Sequence, residues 1–371
     1  MTKIIYQNEQ KKREFLRYLK GAKGFAESSI NSFAEAIDQW QLFTENENFV
    51  NFNEAKASAF CDWLKSRKAK TETGIISIST QYSYLRRIKK FFNWLSNQPT
   101  YKSKVLKNDI DFLRLSRGDA RIARQGTTKQ MPTFEEAKTI IESIKIKNEI
   151  DMRDRAIICF ALITGMRISA IITLRIKNFD MENKLIDQNP ADGVKTKNSK
   201  RILTTFFPIG WDEPEKHFIE WFRYLKSKGS QLDDPIFPAT MNNFISEKSA
   251  YSKKFVGKDF WNGTNGARKI FEKRCKDADL LYFHPHSFRH LITKILSKIR
   301  LTEEDKKAVS LNLGHSDVGT TFGSYGYGNM TNEDAVKIVQ KLKIFQEGND
   351  NIFTLSKEDR AVLERVMKII L

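Results

Sequence analysis

Two arginines, two histidines and a tyrosine between residues 167 and 325 are of types that do chemistry at a phosphodiester. Arg167 stands in Thr164-Gly165-Met166-Arg167. His286 and Arg289 stand in His286-Ser287-Phe288-Arg289-His290. His315 follows Leu313-Gly314, and Tyr325 follows Thr320-Thr321-Phe322-Gly323-Ser324. An arginine stays charged in any surroundings and offers forked donors to phosphate oxygens. A histidine moves a proton near neutral pH. A tyrosine hydroxyl can attack phosphorus and hold it as an ester. His286 and Arg289 are three apart, so on a helix they share a face. Pro285 suits a first helical turn and places His286 near the helix start.

Composition agrees with a polyanionic partner. The chain has 371 residues and a net charge of +18. Residues 1–127 contribute +10 of that and the remainder +8, so both parts are basic, as contact with one nucleic acid requires. With 40% hydrophobic residues the chain can build a core, and its length suggests two domains. Cys61, Cys159 and Cys275 form no Cys-x-x-Cys pair, so neither zinc nor a disulfide framework is indicated. No stretch reaches the roughly 20 apolar residues of a membrane span, and no signal-peptide pattern opens the chain. A cytoplasmic location with no membrane contact is the expectation.

The elements that must position these residues are mainly helical. Residues 11–97 read as helix throughout. Asn53 is a cap for a helix bearing Ala57, Phe60, Cys61 and Leu64 on one face. Ser79 or Thr80 would cap the next, where Leu85, Ile88, Phe91, Phe92 and Leu95 repeat at three and four. Its other face carries Arg86, Arg87, Lys89 and Lys90, a set placed either in solvent or on phosphates. From residue 113 to about 130 arginines crowd a stretch with little apolar periodicity, including Arg117, Arg121 and Arg124. That stretch reads as a basic interdomain linker crossing phosphates. Thr133-Phe134-Glu135-Glu136 is a capping box that opens a new domain. A buried helix follows over Asp151 to Thr164, stopped by Gly165. Residues 183–207 read as β, with Lys184 to Ile186, a turn at Asn189 to Gly193, then Val194 and Ile202 to Phe207. Trp211 to Lys228 returns to helix. Residues 239–266 give no reading. Helices are expected near 266–280, 286–300, 302–313, 332–346 and 356–371.

The motifs together, in order and at these separations, resemble the tyrosine recombinase (phage-type integrase) family, relatives of Xer-like proteins and transposon integrases. The resemblance runs from about Pro132 to Tyr327, with a weaker likeness over the N-terminal helices. It implies a mainly α fold with a small β-hairpin or sheet (α+β), arranged as a two-domain DNA clamp. The implied domains are a helical core-binding domain at 1–112, the linker at 113–130, a catalytic domain at 131–350 and a C-terminal helix at 351–371. Arg167 and Arg289 would clamp the non-bridging oxygens of a scissile phosphate. His286 would accept or organise the proton of the attacking tyrosine, and His315 would hydrogen-bond the phosphate. The stretch Val194-Lys195-Thr196-Lys197-Asn198-Ser199-Lys200-Arg201 resembles the family's hairpin, which carries a lysine into the minor groove. Lys197 is then the candidate general acid for the leaving 5′ oxygen. Lys195 and Lys200 compete for that role or contact phosphates. The family spacing makes Tyr325 the nucleophile, with Tyr327 as runner-up. His290 reads as packing and His284 as incidental. The family usually places Glu or Asp three residues after the first arginine, and this chain has Ala170.

The implied function is site-specific recombination of double-stranded DNA through a 3′-phosphotyrosine, without cofactor, metal or ATP, as a mobile-element integrase or a resolvase. No P-loop and no two-metal carboxylate cluster stands out in the sequence. The rivals are a type IB topoisomerase, which uses similar chemistry without strand exchange, and a DNA-binding relative that has lost cleavage. The expected assembly is a homotetramer on synapsed DNA and a monomer or dimer when free. The early start of the helical module leaves little room for a separate arm-binding domain.

Overall fold

The computed structural model describes residues 3–69, 74–125, 130–241, 243–244, 251–252, 255–299 and 301–326. The expected helices at 332–346 and 356–371 lie outside the described residues, as does Tyr327. The chain divides into two compact units, Met1–Thr128 and Lys129–Leu371. The described part is mostly helical with a small three-stranded antiparallel sheet.

The first unit is built from helices α1 (Lys3–Gly21), α2 (Glu27–Phe43), α3 (Glu54–Ser66), α4 (Ile78–Leu95), the single turn α5 (Lys107–Ile110) and α6 (Arg117–Gln125). Their apolar stripes meet in an aromatic core. Trp40 is its centre, with the ring of Phe60 at 5.0 Å and that of Phe92 at 4.8 Å. Asn53 caps α3 as its type predicts, accepting from Lys56 N at 2.9 Å. The cap of α4 is Ser77, two or three residues before the expected Ser79 or Thr80. Ser77 has the extended backbone a cap needs and accepts from Thr80 N. Ser79 instead donates to Ala123 O at 3.0 Å.

That bond marks a correction to the expected linker. Part of the arginine-rich stretch is helix α6, packed on α4 within the first unit. Leu113, Leu115 and Ala123 are buried in the same aromatic core. The buried face of α6 is only alanine-sized, which is why its periodicity does not show among the arginines.

The second unit opens at α7 (Phe134–Ser143) with the complete capping box: Thr133 Oγ1 accepts from Glu136 N at 3.1 Å and Glu136 Oε2 from Thr133 N at 2.7 Å. Helix α8 (Glu149–Thr164) begins two residues before the expected Asp151, because Asn148 caps it. Residues Ala156 to Ile163 are buried on every face, so α8 is the central rod of the unit. It packs against α10 (Glu213–Ser227) and α12 (Pro285–Ser297), meets α11 (Asn265–Asp277) through ion pairs, and α13 (Glu303–Asn312) packs against the third strand of the sheet described below. An ionic knot sets the rotation of α8 against α11. Arg274 donates to Asp154 at 2.7 and 3.0 Å and to Asp151 at 2.6 Å, and Arg153 donates to the other oxygen of Asp154. Buried charges are tolerated there because each is paired and hydrogen-bonded.

Strands β1 (Phe179–Asp180), β2 (Leu185–Gln188) and β3 (Ile202–Thr205) run antiparallel in that order, with Leu185 opposite Thr205 and Gln188 opposite Ile202. Val194 is buried but not in a strand, and residues 189–201 form a long loop from β2 to β3 rather than a tight hairpin. The stretch that resisted reading contains a two-stranded pair, β4 (Asn243–Phe244) and β5 (Tyr251–Ser252). All three cysteines are free and buried. Among the described residues no helix is long and apolar enough to cross a membrane.

Candidate active site

Arg289, on the second turn of α12, is 1% exposed although it is charged. It survives burial because its fork meets three acceptors. Nη1 donates to Gly165 O at 2.7 Å, and Nη2 reaches Leu313 O at 2.6 Å and His315 Nε2 at 2.7 Å. One guanidinium thus joins the end of α8, the end of α13 and the second histidine.

Two glycines make this meeting possible. Gly165 ends α8 in the left-handed conformation at φ 59°, and a Cβ there would lie 2.7 Å from Leu313 Cδ2. Gly314 has φ 72°, and a Cβ there would lie 2.4 Å from Ile202 Cδ1 on β3. Asn312 completes the seam, accepting from Thr205 N at 2.7 Å and donating to Thr205 O at 3.1 Å. The sheet, and with it the lysine loop, is therefore held in register with His315.

His315 is buried, and its Nδ1 lies 2.8 Å from Thr321 Oγ1. Burial pushes its pKa down to about 3, and the charges of Arg289, Arg167, Lys197 and Lys200 push the same way. The imidazole is neutral at neutral pH. Four of the cations singled out in the sequence act on this one ring, which is how the structure gathers them.

Arg167 is half-buried and directly precedes the single turn α9 (Ile168–Ile171). Ala170 is 1% exposed within the apolar core, so the position where the family usually carries an acid is here filled by a methyl group. Ser169 Oγ donates to Lys195 O at 3.2 Å and Thr173 Oγ1 accepts from Lys195 N at 2.9 Å, so the backbone of Lys195 anchors the lysine loop to α9. That anchor joins residues more than twenty apart and has no local sequence signature. Lys197 is exposed at the tip, where Asn198 and Ser199 both take positive φ. Lys200 Nζ lies 3.4 Å from Ser316 Oγ, beside His315.

His286 is the second residue of α12 and is half-buried, its ring edge-on to His290 at 5.0 Å. His284 is not incidental. It is the N-cap of α12, with Nδ1 accepting from His286 N at 3.1 Å, while its own carbonyl accepts from Ser287 N and Ser287 Oγ. A ring nitrogen does the work that Ser, Thr or Asp does at most helix starts, so residue type alone does not reveal it. His284→Ala should cost about 1 kcal/mol of stability in urea unfolding, and His284→Ser should restore most of it. An unchanged unfolding midpoint in His284→Ala would remove the cap from the account.

The segment Gly319–Gly326, which contains Tyr325, is π-helical and packs against α12. The Tyr325 side chain lies outside the described part of the structure. A π turn is uncommon and concentrates at functional sites. Among the described residues no group of His, Cys, Asp and Glu is arranged to hold a metal ion.

The first unit carries its own basic surface. Arg86, Lys89, Arg117 and Arg124 rim a concavity of about 470 Å³ floored by Leu85 and Leu113. Arg86 and Arg124 both sit 5.8 Å from the Tyr82 ring. Arg86, Arg87 and Lys90 line a second concavity of about 520 Å³ with Ser28, Ser29, Ser32 and Ser83. Lys89 is paired with Asp111 at 2.6 Å, and Lys90 stands 4.3 Å from the Phe25 ring. Arg121 is exposed.

Residues 130–331 match the family model described as the phage integrase family, over more than half of the chain. The chain belongs to the phage integrase family. Residues 13–98 match the family's N-terminal SAM-like domain. The tyrosine recombinase XerC of Lactobacillus delbrueckii subsp. bulgaricus is 26% identical over 318 residues, covering 83% of this chain and 91% of that protein. XerC of Escherichia coli O157:H7 is 22% identical over 312 residues, covering 83% and 88%. Among solved structures, a lambda integrase (residues 75–356) dimer bound to a COC′ core site aligns with a TM-score of 0.60 at 10% identity, covering 87% of this chain and 96% of that one. The Tn1549 transposon integrase in complex with a circular intermediate DNA aligns at 0.58 and 15% identity, covering 90% and 98%. These two likenesses concern the fold of an integrase, mainly helical and in two domains.

Proposed function

We propose that this phage integrase family member is a site-specific recombinase that cuts and rejoins double-stranded DNA through Tyr325. The observation that carries the reading is the Arg289–His315 contact at the meeting of α8, α12 and α13, with Arg167, Lys197 and Lys200 acting on the same imidazole. Such a site suits a transferring phosphoryl group, whose reaction needs charge neutralised at the non-bridging oxygens. Tyr325 Oη attacks phosphorus as its proton passes toward His286. The bond to the 5′ oxygen breaks, and that oxygen takes a proton from Lys197. The product is a 3′-phosphotyrosine and a free 5′ hydroxyl. A 5′ hydroxyl from the partner duplex then attacks the ester and returns the tyrosine. One ester replaces another at each step, so no outside energy source enters the reaction.

The basic concavities of the first unit supply salt-dependent, sequence-independent contacts to phosphates. DNA is the partner, as it is in the lambda and Tn1549 integrase structures. A homotetramer on two synapsed duplexes is the working assembly, by likeness to the lambda integrase tetramer bound to a Holliday junction. The chromosome or a mobile element in the cytoplasm is the place of action.

The test is a nicked suicide substrate from which the free 5′ fragment diffuses away. The expected result is a covalent protein–DNA complex, formed without ATP and unchanged by chelators. Strand exchange between two duplexes should follow on intact sites. Cleavage without exchange would reduce the protein to a topoisomerase-like activity, and DNA binding with no covalent complex would sink the reading.

A further inference from the structure

We infer that Thr173 and Arg175 are positioning residues that pin the root of the lysine loop and so fix the reach of Lys197 to the leaving oxygen. The inference rests on the recombinase function proposed above. The loop leaves β2 at Asn189 and enters β3 at Ile202. Its first half is tied at three places. Arg175 Nε donates to Asp192 O at 2.7 Å, while Nη1 donates to Asp233 O at 2.8 Å in the segment after α10. Val194 is 2% exposed in the apolar core. Lys195 N donates to Thr173 Oγ1 at 2.9 Å. A hydroxyl has one proton, and Thr173 shares its own between Ser169 O at 2.8 Å and Ala170 O at 3.1 Å. A lone pair is therefore what it offers Lys195, and at 8% exposure water does not readily take its place.

Lys197 stands two residues beyond that last tie. Two residues of extended chain span at most about 7 Å, so the backbone that bears Lys197 cannot stray further than that from the pinned Lys195. On the far side the restraint is weaker. Arg201 pairs with Asp187 at 2.7 Å, but its side chain is 68% exposed and solvent screens the pair. Lys200 Nζ meets Ser316 Oγ only at 3.4 Å. The root of the loop therefore decides where Lys197 stands. Thr173 follows Arg167 by six residues, across the single turn α9. One short stretch thus carries a clamp arginine and holds the general acid, so the two meet one phosphate at a set separation. A misplacement of about 1 Å in such a group costs on the order of 100-fold in rate.

The experiment uses the full chain and two nicked suicide substrates, one of ordinary DNA and one with sulfur in place of the bridging 5′ oxygen at the scissile phosphate. A thiol is a far stronger acid than an alcohol, so the sulfur leaves as a thiolate and needs no proton from Lys197. Thr173→Val keeps the shape and removes the hydroxyl. It should slow cleavage of ordinary DNA by roughly 10- to 100-fold, yet cleave the sulfur substrate near the wild-type rate. Thr173→Ser should restore cleavage of ordinary DNA. Arg175→Lys keeps the charge but cannot span both carbonyls, and it should show the same selective rescue. Both substrates are read on one preparation, so a partly misfolded variant lowers both rates and leaves their ratio unchanged. Lys197→Ala is the reference for full rescue and Arg289→Ala for little. A Thr173→Val protein equally slow on both substrates, beside a rescued Lys197→Ala, would overturn the inference. So would wild-type cleavage of ordinary DNA by Thr173→Val, or a Lys197→Ala protein that sulfur does not rescue, since there is then no acid to position. A wild type that forms a covalent complex with neither substrate would sink the recombinase reading itself, so the two failures are separable.

Discussion

Tyr325→Phe should abolish the covalent complex with DNA altogether while leaving DNA binding near its wild-type affinity. The change removes one oxygen and keeps the ring, so the packing of the π-helical segment on α12 has no reason to alter. Binding strength in such proteins comes mainly from cations on phosphates, and a neutral phenol adds little to it. Catalysis is different in kind, because without Oη there is no atom to form the ester. The residual cleavage should be at background, a larger effect than any clamp or acid variant can give. A gel that resolves free, bound and covalently attached DNA reads both quantities at once. Wild-type levels of covalent complex in Tyr325→Phe, with loss in Tyr327→Phe, would move the nucleophile two residues along the chain.

Much of the scaffold was legible because helix starts and stops are local events. Thr133 and Glu136 declare a helix within four residues, and Gly165 declares its neighbour's end. Asn53 does the same for α3. Where the signal was weak, the physical cause can be named. Helix α6 hides its buried face in alanines, so arginines dominated the reading. The loop from β2 to β3 is shaped by Ser169 and Thr173, which are more than twenty residues away in sequence, and no local pattern reports such an anchor. The motifs at Arg289 and His315 were visible as residue types, but their mutual contact was not. The His284 cap was missed because histidine is an uncommon type at that position. Local chemistry can be read from sequence; the pairing of distant polar atoms depends on the fold.

The second large effect separates the two arginines, which a motif treats as equals. Arg289→Ala should lose both cleavage and stability. Cleavage should fall by at least the ~100-fold that follows removal of one preorganised charge-stabilising donor. Stability should fall by on the order of 3 kcal/mol, because the buried Gly165 and Leu313 carbonyls and His315 Nε2 all lose a donor in the same step. Arg289→Lys keeps the charge but not the fork, and one ammonium cannot reach acceptors that two nitrogens now share. It should recover part of the stability and little of the rate. Arg167→Ala should slow cleavage by a similar factor at a much smaller cost in stability. Arg167 is half-buried where Arg289 is 1% exposed, and its backbone carbonyl, which accepts from Ala170 N at 2.9 Å and Ile171 N at 3.1 Å, survives the substitution. Urea unfolding together with suicide-substrate cleavage on the same preparations separates the cases. Equal destabilisation by both alanine variants would mean that Arg167 is as much a part of the scaffold as Arg289. An Arg289→Ala protein that keeps wild-type stability would show that the three-way junction beneath the clamp holds without its guanidinium.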